Sequence, residues 1–102
     1  MKSTSVYFNL PIRLIQGIDD YLAVSRLEIS RSALLKFCLT FDVNLSTDDR
    51  ITAITLADTL ARDSCGKYVS VGLRCKKSIK PNTKQILQIS SVLVMLHLDR
   101  IF

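Results

Sequence analysis

The chain begins with the stretch STSVYFNLP at residues 3–11, in which polar and apolar side chains alternate. Successive side chains of a β-strand point to opposite faces, so this alternation predicts a strand. Its apolar face carries Val6, Phe8 and Leu10, and its polar face carries Ser5, Tyr7 and Asn9. The next strand-like segment begins only at residue 68. We therefore expect this strand to pair with its equivalent in a second copy, in an intermolecular two-stranded antiparallel ribbon.

Two helices are predicted directly after this strand. Pro11 suits the start of a helix, because it lacks an N–H group and its ring fixes φ near the helical value. Apolar residues then recur at helical spacing through Leu14, Ile18 and Tyr21. Ser30 is a good N-cap for a second helix over residues 31–41. The order of elements is thus strand, helix, short turn and helix.

The remainder of the chain predicts a helix, a strand and a further helix. The helices are expected over residues 48–62 and 83–98, with alternating residues 68–75 forming the strand between them. We divide the chain into residues 1–45, which contain the expected dimerisation ribbon and two helices, and residues 46–102, a helix-strand-helix region for oligomerisation or partner binding. A second strand-helix-helix unit from Lys67 is disfavoured, since Pro81 interrupts the space that two more helices would need.

Residues 2–42 resemble the ribbon-helix-helix family of DNA-binding proteins, the Arc- and MetJ-like repressors. The resemblance rests on the order of elements and on Ser30-Arg31-Ser32-Ala33-Leu34-Leu35 at the start of the second helix. It implies a mainly α fold with short β-strands, a homodimer with an intermolecular ribbon, and double-stranded DNA as partner. Residues 1–45 would then be the dimerisation and DNA-binding domain. The C-terminal residues would form an α+β extension of this dimer.

The resemblance also implies site residues. Base contacts would come from the outward residues of the first strand, which are Ser5, Tyr7 and Asn9. Phosphate contacts would come from Lys2, Ser30, Arg31, Ser32 and Lys36. The basic C-terminal part offers possible secondary nucleic-acid contacts at Arg74, Lys76, Lys77, Lys80 and Lys84. Asn9 is the strongest candidate for sequence readout, because its amide can form a bidentate pair with adenine.

Composition and charge further restrict the classes of function that we expect. The net charge is +5, and the excess of basic residues lies after Asp63, which fits a polyanionic partner. The single histidine has no nucleophile close to it in sequence, and three glycines provide no phosphate-binding loop, so we expect no enzymatic activity. We also expect no cofactor, no metal and no membrane association. The N-terminal residues lack the apolar segment of a signal peptide, so we expect a cytoplasmic protein.

These observations predict a sequence-specific DNA-binding dimer that represses transcription by promoter occlusion, with higher oligomers possible on DNA. One alternative is an antitoxin or an accessory protein of plasmid transfer or partition. Another is a protein-interaction module that has lost DNA binding, which is favoured by the absence of Arg and Lys from the outward face of the first strand.

Overall fold

A computed structural model describes residues 4–75 and 85–96 of the chain. Within these residues the fold is a small α+β domain with four helices and a two-stranded antiparallel sheet. The elements are, in order, β1 (Thr4–Pro11), α1 (Ile12–Ser25), α2 (Arg31–Thr40), α3 (Thr47–Asp63), β2 (Tyr68–Cys75) and α4 (Gln85–Met95).

The helix boundaries follow from local capping. The Ser30 hydroxyl accepts a hydrogen bond from the Ala33 N–H at 3.1 Å and caps α2, as expected from the sequence. Ser46 caps α3 in the same way through the Asp49 N–H, so α3 begins one residue before the predicted start. Arg26 adopts a left-handed conformation that ends α1. The predicted break between the first two helices is therefore confirmed.

The expectation that β1 has no partner in its own chain is wrong. β1 pairs with β2 along its whole length, from Thr4 opposite Cys75 to Pro11 opposite Tyr68. After α3, the left-handed residues Cys65 and Gly66 turn the chain back so that β2 lies antiparallel to β1. The strand at residues 68–75 was predicted correctly, but local patterns do not encode which strands pair.

The end of this β1–β2 ribbon is closed by hydrogen bonds to the start of α1. The Ile12 N–H donates to the Lys67 carbonyl at 3.2 Å, and the Arg13 N–H donates to the Ser64 hydroxyl at 3.3 Å. Pro11 has no side chain that could cap the helix, so these contacts satisfy two N–H groups that the first turn of α1 leaves unpaired. The turn before β2 is thereby attached to the end of β1.

One hydrophobic core joins the ribbon to the helices. The buried face of the ribbon contributes Val6, Phe8, Leu10, Val71 and Leu73. The same cluster contains residues from all four helices, including Leu14, Leu35, Leu60 and Leu93. It therefore draws on residues from both sides of the predicted division at residue 45. That division stays a prediction about function.

Candidate nucleic-acid interface

The opposite face of the ribbon is open to solvent. From β1 it presents Ser5, Tyr7 and Asn9, which confirms the side-chain facing predicted from the alternation. From β2 it presents Tyr68, Ser70, Gly72 and Arg74. We call these seven residues the ribbon face. Their contacts with bases stay a prediction.

The strand register places the residues of the ribbon face in cross-strand pairs. Ser5 lies opposite Arg74, Tyr7 opposite Gly72, and Asn9 opposite Ser70. Neither strand contains an acidic residue, so the face combines hydroxyl, amide, aromatic and guanidinium groups with a single positive charge. Such a surface has donors and acceptors for base edges and no carboxylate to repel phosphates.

Tyr7 lies directly across Gly72. A Cβ atom built on Gly72 would be 2.7 Å from Cε1 of the Tyr7 ring, which is closer than a real Cβ contact. Glycine therefore allows the ring to lie against the neighbouring strand in the middle of the ribbon face. Tyr7 as a whole remains 66% exposed, so its ring offers an apolar surface beside the polar groups of Asn9 and Arg74.

Arg74 has a more prominent place than the sequence indicated. Its position in the C-terminal half suggested a secondary nucleic-acid contact, but the pairing of β2 with β1 brings it to the ribbon face opposite Ser5. The basic group that β1 lacks is therefore supplied by β2. Alternation in residues 68–75 already placed Arg74 on the polar face of its strand. The sequence did not show which strand pairs with β2.

Four of the predicted phosphate contacts lie at the start of α2 and not on the ribbon face. Ser30, Arg31 and Ser32 are exposed at the start of this helix, and Lys36 is partly exposed one turn later. The Arg31 guanidinium donates two hydrogen bonds to the Asp19 carboxylate, from Nε at 2.8 Å and from Nη2 at 2.7 Å. These bonds raise the pKa of Arg31 above its usual value. Arg31 is thus engaged with α1 in the free protein.

The remaining predicted nucleic-acid contacts lie outside the described residues. They are Lys2, Lys76, Lys77, Lys80 and Lys84. All three positions predicted to contact bases therefore lie on the ribbon face together with Arg74, while four of the predicted phosphate contacts lie at the start of α2.

A groove of about 330 Å³ lies between the α2–α3 connection, α3 and α4. It is lined by Val43, Leu45, Arg50, Ile54, Leu87, Gln88 and Ser91. Within the described part of the chain, no group of His, Cys, Asp and Glu side chains is placed to hold a metal. None of the helices described is both long and apolar enough to cross a membrane.

Searches against protein-family models, curated proteins and solved structures returned no match. The function is therefore inferred from the geometry of the ribbon face and from the charges around it.

Proposed function

We propose that this protein binds double-stranded DNA by inserting the ribbon face into the major groove, and that it does so with sequence preference. The observation that carries the proposal is an eight-residue antiparallel ribbon with one face in the core and the other face polar, exposed and free of carboxylates. The major groove is about 12 Å wide and admits a two-stranded β-ribbon.

The side chains on the ribbon face have the chemistry that base recognition needs. The Asn9 side-chain NH₂ can donate to adenine N7 while its carbonyl oxygen accepts from the adenine N6 amino group, and Arg74 can donate two hydrogen bonds to guanine O6 and N7. The Tyr7 ring can contact a thymine methyl group. A net charge of +5 adds a general attraction to the phosphate backbone.

Phosphate contacts at α2 belong to the same proposal. Ser30 and Ser32 stand at the positive end of the helix dipole, where backbone N–H groups favour an anion. Two of the five N–H donors of Arg31 are already occupied by the Asp19 carboxylate, whose negative charge also opposes a nearby phosphate. We therefore assign the first role here to the two serines.

A biological role as a transcriptional repressor follows if the bound DNA lies in a promoter, because a bound protein blocks access to it. We further propose that copies assemble as homodimers or higher oligomers on DNA. Each chain contributes its own complete ribbon, so two copies would occupy repeated sites. Such a protein would act in the cytoplasm.

The test is fluorescence anisotropy of the full chain with the duplex upstream of its own coding sequence and with an unrelated duplex, across a salt series. Tighter binding to the first duplex, with affinity falling as salt rises, supports the proposal. Asn9→Ala should remove about 1–3 kcal/mol of sequence preference. The matched control is Asn44→Ala, since Asn44 is exposed in the α2–α3 connection, away from the ribbon.

A protein-interaction module is the second candidate. Exposed apolar side chains favour it, namely Val24, which is 81% exposed, together with Leu27, Ile29 and Phe37. In that case both duplexes would bind weakly and equally, and Asn9→Ala would change nothing. The antitoxin alternative has less support, because α4 is packed into the core through Ile89 and Leu93 and does not extend from it.

A further inference from the structure

The two strands of the ribbon are unlike, and both belong to one chain. β1 presents Ser5, Tyr7 and Asn9, whereas β2 presents Ser70, Gly72 and Arg74 in the paired positions. A ribbon made from two copies of one strand would present each side chain twice, related by a two-fold axis. In this ribbon each of these side chains occurs only once, so the ribbon face has no two-fold symmetry.

We propose that a single chain recognises an asymmetric DNA sequence, with Asn9 and Arg74 as the two specificity-determining residues at opposite ends of the ribbon face. The proposal rests on the DNA-binding function argued above and adds to it the symmetry of the site and the role of Arg74.

The spacing of these two residues supports separate roles. Arg74 lies opposite Ser5, and Asn9 is four residues further along β1. At roughly 3.4 Å per strand residue, the two positions are about 14 Å apart along the ribbon. Successive base pairs are about 3.4 Å apart along the helix axis, so the two side chains reach different base pairs.

Both side chains are available for this role. Among the described residues, the ion pairs are Arg31 with Asp19 and Arg62 with Asp58, and neither involves Arg74. Asn9 is exposed at the other end of the face. The Tyr7 ring, lying against Gly72, occupies the space between them. The face therefore favours guanine at one end and adenine at the other.

The experiment is selection of bound duplexes from a random-sequence library by the full-length protein, followed by sequencing. It is repeated with Asn9→Ala and Arg74→Ala. The controls are Asn44→Ala and Arg50→Ala, which remove the same groups from exposed positions in the α2–α3 connection and on α3. Affinities of single-base variants of the selected duplex are then measured by anisotropy.

We expect a motif whose unit, read by one chain, has no dyad symmetry, either alone or as a direct or inverted repeat. Asn9→Ala should abolish the preference at one A·T pair, and Arg74→Ala should abolish it at one G·C pair elsewhere. Each loss should be about fivefold to 150-fold, which corresponds to one bidentate contact. The two control variants should select the parental motif.

Other results would overturn the inference. A motif that is palindromic within the few base pairs covered by one ribbon, in which each substitution relaxes two symmetry-related positions, would refute the asymmetric site and leave DNA binding intact. Uniform weakening by Arg74→Ala with no change in motif would refute its role in specificity. Failure to enrich any motif, with equal weak binding to all duplexes, would refute the proposed function itself.

Discussion

Replacement of Leu73 by alanine tests the packing of β2 in the common core. Leu73 is 2% exposed on the buried face of β2, and it lies opposite Val6, which is 8% exposed on β1. Truncation of a buried leucine to alanine removes its transfer free energy and leaves a cavity, at a cost of about 2–5 kcal/mol. The whole free energy of unfolding of a small domain is only about 5–15 kcal/mol. Leu73→Ala should therefore remove a large part of it.

The assay is thermal and urea unfolding followed by circular dichroism. A loss of about 3 kcal/mol corresponds to a fall in Tm of roughly 12–24 °C for a domain of this size. Arg74→Ala is the matched control, because Arg74 is the next residue on the same strand and points to solvent. It should change the free energy of unfolding by less than about 0.5 kcal/mol. A similar small change for Leu73→Ala would refute the packing of β2 in the common core.

Two further predictions concern α2. Asp19→Asn breaks the bidentate pair with Arg31 and should lower the free energy of unfolding by roughly 0.5–1 kcal/mol, because both side chains are 44% exposed. Asp20→Asn removes the same charge from a neighbouring exposed residue and should cost nothing measurable by urea unfolding; equal losses would show that the pair itself contributes nothing. Burial raises the pKa of the Cys38 thiol from 9.0 to about 12, so the unfolded chain loses this proton first as pH rises. The free energy of unfolding should fall above pH 9, by at most about 1.4 kcal/mol per pH unit from this group, until the native thiol ionises near pH 12. Cys38→Ala should show a shallower decline than the parent in urea unfolding between pH 8 and 11, and an identical slope would contradict the shifted pKa.

Local features were predictable from the sequence because they depend on neighbouring residues. Ser30 caps α2 as its position suggested, and the alternation in residues 68–75 gave the strand with correct bounds. The alternation around Tyr7 also gave the correct buried and exposed faces of β1. These patterns reflect capping and the two-residue period of a strand, both of which act over a few residues.

Long-range features were not predictable in the same way. The partner of β1 depends on how α3 and the turn at Cys65 and Gly66 return the chain, which no local pattern specifies. The place of Arg74 on the ribbon face depends on that pairing and its register. The close approach of Tyr7 to Gly72 follows from the same register. Ser5, Tyr7 and Asn9 were thus named from sequence as candidate base contacts and Arg74 as a secondary contact, whereas the place of Tyr68, Ser70 and Gly72 beside them required the fold.

The central claim is that the ribbon face contacts DNA. The most direct measurement is a heteronuclear NMR titration of the full chain with its upstream duplex, following the backbone amide shifts. The account predicts the largest changes at Tyr7, Asn9, Ser70 and Arg74, with smaller changes at the start of α2. Changes confined to the groove between α3 and α4, or no saturable change at all, would contradict it.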